Sequence, residues 1–223
     1  TTVGAFDESI RHSITKMSWW HFAAAEEYQK RIIQLGEEPS RVFNVGGLGV
    51  DVIKNSRLLS KEELTKKTKI NFSSKNLLVT YHPVTLEDES SKDHFQSLLD
   101  VLTEMNDINL IFTMPNADSD SRSIFNMIET FVSNHSTRAI AFKSMGHLNY
   151  LSTLQFVDGV IGNSSSGLCE VPSFKIGTVN IGDRQKGRLK AESVIDCEPT
   201  EESIKSAIEI LYSKKFRSTL KSV

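Results

Sequence analysis

The sequence is poor in cysteine, in charge of one sign and in long apolar runs, and each shortage excludes something. Its 223 residues hold two cysteines, Cys169 and Cys197. That is too few for a disulfide framework, and their separation is not that of a metal site. A reducing compartment, the cytoplasm, is the default for two free thiols. Lys and Arg number 26 against 28 Asp and Glu, for a net charge of −2. That balance makes no electrostatic case for nucleic acid or an anionic membrane as partner. No apolar stretch approaches the roughly 18 residues of a membrane-spanning helix. The first residues show no basic segment followed by an apolar core, so no signal peptide is expected. His12, His21, His94, His135 and His147 show no metal spacing, and neither a metal nor a cofactor is expected. Internal repeats and low-complexity segments are absent too.

What is present is an ordinary globular balance, 39% hydrophobic and 24% charged. The apolar runs are short and β-branched: RVFNVG (41–46), NLLVTY (76–81), INLIFTM (108–114), RAIAF (138–142), DGVIGN (158–163) and GTVNIG (177–182). Most are followed by segments with helical spacing. Ser91 to Glu104 places Phe95, Leu98, Leu99 and Leu102 on one face; Ser121 to Val132 does so with Ile124, Met127, Ile128 and Phe131; Glu201 to Tyr212 does so with Ile204, Ala207, Ile208 and Leu211. Strand then helix, repeated, predicts an α/β fold with a Rossmann-like parallel sheet covered on both faces. Ahead of it, Asp7 to Met17 reads as a helix with Ile10, Ile14 and Met17 on one stripe. WWHFAAA (19–25) reads as a strand, and AEEYQKRIIQLGEEP (25–39) as a helix stopped by Gly36 and Pro39. The abrupt TTVGAF opening suggests a fragment of a longer protein.

In open α/β sheets ligands bind outside the carboxyl ends of the strands. The residues after the predicted strands are His82-Pro83, Pro115-Asn116-Ala117-Asp118, Lys143-Ser144-Met145-Gly146, Asn163-Ser164-Ser165-Ser166-Gly167 and Gly182-Asp183-Arg184-Gln185-Lys186-Gly187-Arg188. All are polar or small. The serine stretch suits an anion at a helix N-terminus, where backbone N–H groups and hydroxyls converge; it equally suits a plain N-cap. Glu170, in the first turns of the same helix, fits either a ribose diol or simple complementarity to the helix dipole. Arg184 and Arg188 suit a diphosphate through bidentate hydrogen bonds, or a solvated basic loop. His82 fits a general acid–base, a phosphate donor or a structural role. Asp7 and Glu8 fit helix capping.

Taken together, GAFDESIRHSITKMS, YHPVT, PNAD, GNSSSGLCE and GDRQKGR resemble the hydrolysing UDP-N-acetylglucosamine 2-epimerases, which make N-acetylmannosamine for sialic acids or the analogous sugar for legionaminic-type acids. The motifs fall in that family's order from Gly4 to Arg188. The resemblance implies the second domain of a GT-B-type two-domain enzyme, with residues 1–38 ending the N-terminal Rossmann-like domain and 39–223 forming the UDP-binding one. It implies a UDP-sugar substrate, UDP as product and a homo-oligomer, and no nucleic acid or membrane partner. The implied reaction removes the C2 proton as UDP leaves from C1, then adds water at C1 and reprotonates C2 on the other face. Asp7 then matches a catalytic acid and His82 the histidine near the diphosphate and the reacting sugar. Ser164, Ser165, Ser166 and Gly167 match the diphosphate loop, Glu170 the ribose glutamate, and Arg184 the arginine near the diphosphate. Asn116 and Asp118 match a loop lining the cleft, and Phe142 to Met145 the place of the uracil.

Three other readings compete. A non-hydrolysing epimerase would carry HRRE where this chain has HPVT, and EEANR where it has DESIR. A GT-B glycosyltransferase would lack the DESIRH helix. A nucleotide-binding module without catalysis is the third, and the fragment alone is expected to be inactive. UDP-N-acetylglucosamine, giving N-acetylmannosamine and UDP, is the substrate expected first, with UDP-2,4-diacetamido-bacillosamine open as the alternative.

Overall fold

The computed structural model describes residues 6–83, 88–115 and 121–223, with the backbone alone at 6, 7 and 88–90. By compactness the chain divides into residues 1–56 with 186–188, and residues 57–185 with 189–223. In the first unit, helix α1 (Phe6–Met17) precedes strand β1 (His21–Ala23), helix α2 (Glu26–Gln34), strand β2 (Val42–Asn44) and helix α3 (Leu48–Asn55). β1 and β2 form a two-stranded parallel sheet with His21 opposite Val42. Gln29 of α2 donates to the Val42 carbonyl at 2.8 Å. Glu37 meets Lys16 at 2.6 Å and the buried His21 at 3.2 Å. The predicted strand at 19–25 is shorter than expected, because both tryptophans stand outside it; Trp19 lies under the Arg41 guanidinium at 4.0 Å. The stripe Ile10, Ile14 and Met17 on α1 is exposed.

The second unit runs α4 (Lys61–Thr68), β3 (Asn76–Thr80), α5 (Asp88–Glu104), β4 (Asn109–Thr113), α6 (Ser121–Asn134), β5 (Ala139–Phe142), α7 (His147–Leu154), β6 (Gly159–Gly162), α8 (Ser166–Cys169), β7 (Gly177–Ile181), β8 (Val194–Cys197), α9 (Glu201–Tyr212) and α10 (Lys214–Thr219). Six strands form one sheet in the order β5-β4-β3-β6-β7-β8. Every pairing is parallel: helices make the crossovers as far as β7, and the loop 182–193 makes the last one to β8. This is the Rossmann-type order, with the first strand of the unit at the centre.

The core explains the periodicities. Leu77, Val79 and Tyr81 alternate onto one face, where Phe95, Leu98, Leu99 and Leu102 of α5, Ile124 and Ile128 of α6, and Ile204, Ala207, Ile208 and Leu211 of α9 pack in a single cluster. Leu78, Ile111 and Val160 point to the opposite face and are buried as well. Burial on both faces is why these strands read as continuous apolar runs.

Four helices and one strand carry weaker signals. α4 has a capping box, in which Ser60 Oγ accepts from the Glu63 amide at 3.2 Å and Glu63 accepts from the Ser60 amide at 2.9 Å. α3, α7, α10 and the edge strand β8 are short, and β8 is only half-buried. The helix predicted after the serine stretch is a single α turn, followed by a 3-10 turn at Val171–Phe174. Pro172 supplies the reason: it has no N–H to continue the helix and crowds the residue before it.

Candidate functional site at the sheet switch point

The chain leaves β3 toward β4 and β5 on one side, then returns to lay β6, β7 and β8 on the other. The switch point is the β3/β6 seam, and its carboxyl end is where ligands of such sheets bind. Because all strands are parallel, His82 after β3, the serine stretch after β6 and Arg184 after β7 emerge at this one edge.

Backbone geometry tightens the seam. Gly162 ends β6 with φ +140°, and a Cβ built there would sit 1.9 Å from the Thr80 carbonyl oxygen. Only glycine allows that approach. Next door, the Thr80 and Thr113 hydroxyls are 2.7 Å apart at the ends of β3 and β4. Asn163 is buried, and its amide donates to the Thr80 carbonyl at 3.2 Å. Its Oδ1 accepts from the His82 amide at 2.7 Å while its Nδ2 donates to the His82 carbonyl at 2.8 Å. The Asn163 carbonyl in turn accepts from Arg184 Nη1 at 3.1 Å and from Gln185 Nε2 at 2.8 Å.

The serines occupy a turn and not the mouth of a long helix. Ser164, Ser165 and Ser166 are half-buried. Ser165 stands at the N-cap without a side-chain capping bond. Ser164 Oγ accepts from the Ser166 amide at 3.4 Å, and Ser166 Oγ lies 2.6 Å from the Tyr150 hydroxyl. Burial pushes the Tyr150 phenol up to about 12; hydrogen bonds with Ser166 and Thr80 oppose the shift, and the Glu170 charge adds to it. Gly167 has a packing role: its carbonyl accepts from Thr178 Oγ1 at 2.8 Å, and a Cβ would meet the Thr178 methyl at 2.6 Å. Glu170, half-buried, closes the α turn, its amide donating to the Ser166 carbonyl at 3.0 Å.

Thus the structure gathers His82, Ser164, Ser165, Ser166, Gly167, Glu170 and Arg184 along one edge. Asn116, Asp118 and the Asp7 side chain lie outside the described residues. The sequence offered no particular signal for Tyr150, and Gln185 stood in GDRQKGR without a part assigned to it. Asn163 stood in the motif, yet only its neighbours in space reveal its part. Hydroxyl donors, a guanidinium and an imidazole-bearing loop at one edge suit a polyanion. Among the described residues no group of three or more His, Cys, Asp or Glu is placed to hold a metal ion. None of the described helices is long and apolar enough to cross a membrane.

A Rossmann-like sheet with an anion-suited switch point is a nucleotide-binding architecture. The chain belongs to the UDP-N-acetylglucosamine 2-epimerase family, whose model matches residues 1–222. It is 43% identical over 216 residues to a GDP/UDP-N,N'-diacetylbacillosamine 2-epimerase (hydrolyzing) of Campylobacter jejuni, covering 97% of this chain and 56% of that protein. It is 41% identical over 222 residues to the polysialic acid biosynthesis protein P7 of Escherichia coli, covering 99% of this chain and 56% of that protein. The chain therefore spans about half the length of these curated relatives. Among solved structures, the S. aureus MnaA–UDP co-structure superposes with a TM-score of 0.73 at 13% identity, over 96% of this chain and 57% of the other. The fold is the Rossmann-like α/β fold expected, as in GT-B-type nucleotide-sugar epimerases.

Proposed function

We propose that this chain is the UDP-binding part of a hydrolysing UDP-sugar 2-epimerase. The observation that carries the reading is the meeting of His82, the serine turn and Arg184 on Asn163 at the carboxyl end of the β3/β6 seam. In this reading the Ser164, Ser165 and Ser166 hydroxyls and the Arg184 guanidinium hold the diphosphate. They stabilise the charge that grows on UDP as the C1–O bond breaks. Glu170 accepts from the ribose hydroxyls, and the loop Phe142 to Met145 faces the uracil. His82 and Asp7 serve proton transfer at the sugar, with Asn116 and Asp118 lining the cleft. A base takes the C2 proton while UDP departs, leaving a glycal; water then adds at C1 and a proton returns to C2 from the opposite face. UDP-sugar and water become UDP and the free 2-epimer, with no redox change. Residues 1–38 are assigned to the end of the N-terminal domain and 39–223 to the UDP-binding domain, of which 39–56 cluster with the first unit.

For the sugar, UDP-2,4-diacetamido-bacillosamine is the better supported substrate. The 43% identical relative is named for N,N'-diacetylbacillosamine carried on GDP or UDP, which favours that sugar over N-acetylglucosamine. Proton NMR of the full-length enzyme in D2O, offered each UDP-sugar in turn, tests both levels. Released UDP with a free sugar deuterated at C2 from the bacillosamine substrate is the expected result. The same products from UDP-N-acetylglucosamine alone would reverse the substrate assignment. An epimer still attached to UDP would overturn the hydrolysing reaction itself.

A further inference from the structure

We propose that Asn163 is a positioning residue that makes His82 and Arg184 act as one unit, an inference that rests on the UDP site proposed above. Asn163 is 1% exposed and engages all of its polar groups. At Gly162 the main chain of β6 stops following β3, and the regular ladder ends. The Asn163 carboxamide then supplies one more rung, accepting from the His82 amide and donating to the His82 carbonyl. Two bonds to the same residue fix both the place and the orientation of its Cα, and so the direction in which the imidazole leaves the sheet. A carboxamide is the shortest side chain that offers a donor and an acceptor together. Aspartate has the shape without the donor, and would set a carboxylate oxygen against the His82 carbonyl.

The main-chain carbonyl of the same residue holds the other partner. It accepts from Arg184 and from the buried Gln185, so the guanidinium is tethered to the peptide that carries the clamp. A displacement of Asn163 therefore shifts the histidine and the arginine together. The coupling passes through hydrogen bonds of 2.7–3.1 Å and needs no movement of the sheet.

The test uses the chain as it stands, with two independent readouts. The first needs no ligand: amide hydrogen exchange at His82, followed by NMR, reports the bond to Oδ1. The second is UDP titration calorimetry on wild type, N163A, N163D, R184A and the N163A/R184A double variant. Expected in N163A is exchange at His82 about tenfold faster or more, with the β3 amides unchanged, and UDP Kd raised about tenfold, the loss expected of a buried hydrogen-bonded group. N163D keeps an acceptor for the His82 amide but loses the donor to the His82 carbonyl, so it is expected to protect that amide and still not restore UDP binding. In the double variant the R184A effect is expected to shrink, as for residues in one network. Unchanged exchange at His82 in N163A, UDP binding restored by N163D, or fold-changes that simply multiply would each overturn the inference. If His82 exchange depends on Asn163 but neither wild type nor any variant binds UDP, the clamp stands and the UDP assignment of the site falls. If N163A does not fold, N163D, which removes only the donor to the His82 carbonyl, carries the UDP comparisons alone and with R184A.

Discussion

The hydroxyl of Tyr150 lies 2.6 Å from Oγ of Ser166, which suspends a phenol from α7 beneath the serine turn. The bond holds one of three candidate diphosphate hydroxyls in a fixed orientation. Tyr150→Phe removes it without opening a cavity. The expected cost is about 0.5–1.5 kcal/mol in UDP binding, the net worth of a neutral hydrogen bond, measured by titration calorimetry on the chain. The same variant has a signature in alkali. The Tyr150 pKa is raised by burial from its usual 10 to about 12. Its contribution to stability is then complete below pH 10 and is lost as pH rises from there toward 12, because the unfolded chain loses the proton first. The wild type should lose more stability than Tyr150→Phe across that window in urea titrations. Equal losses would remove Tyr150 as the cause.

Gly162 makes a second prediction, about the seam itself. Its φ of +140° and the 1.9 Å approach of a Cβ to the Thr80 carbonyl combine strain with a clash against backbone. Gly162→Ala should destabilise the chain by about 3 kcal/mol or more, seen as a fall in the urea midpoint without a change in slope. A midpoint within experimental error of wild type would mean that the strand end relaxes freely.

Glu170 and His82 should separate binding from chemistry. Glu170→Ala is expected to weaken UDP binding by about 1.5–3 kcal/mol, as for a hydrogen bond to a charged group. Unchanged affinity in calorimetry removes its ribose role. His82→Ala in the full-length enzyme is expected to lower kcat more than it weakens UDP binding. A raised KM with normal kcat would make it a binding residue only.

The two thiols should differ in reactivity. Cys169 is exposed on the turn. Cys197, at the end of β8, is pushed up to about 12 by burial and by the neighbouring Asp196 and Glu198 charges. Attack requires thiolate. One thiol should therefore react with an aromatic disulfide reagent in the native chain and two in denaturant. Peptide mapping should place the fast one at Cys169.

How much of this could be read in the sequence follows from where each signal lives. The strands β3 and β7 are buried at every position, so their composition alone declares them. β8 reads VIDC, half-buried with an aspartate at its third position, and has too little burial to leave a pattern. α4 carries its capping box in plain view, but its eight residues KEELTKKT bury only Leu64 and Thr68, so an apolar stripe never forms. At the site, small and polar residues after strands were legible because a parallel sheet sends all its carboxyl ends to one edge. The clamp was not, since Asn163 and His82 are 81 residues apart and become neighbours only through the strand order. Tyr150 reaches Ser166 from a helix whose faces the sequence scarcely distinguishes. The short α8 was overestimated because the serines announce a helix while Pro172, further on, ends it.

The central place of β3 also sets the order of events as the chain is made. β3 finds β4 after one helix, but its other neighbour arrives late: the Asn76 amide waits for the Asp158 carboxylate 82 residues on, and His82 for Asn163 81 residues on. At ribosomal speeds of about 5–20 residues per second, that interval lasts roughly 4–16 s. Throughout it the apolar flank of β3 that will meet β6 is an open sheet edge, the surface on which chaperones and neighbouring nascent chains compete. Closing the seam ends that exposure and joins His82 to Asn163; Arg184, 21 residues further on, adds its bond once β7 has been laid down. On the proposed function, an arrested chain ending before β6 lacks the serine turn, Glu170 and Arg184, and is expected not to bind UDP.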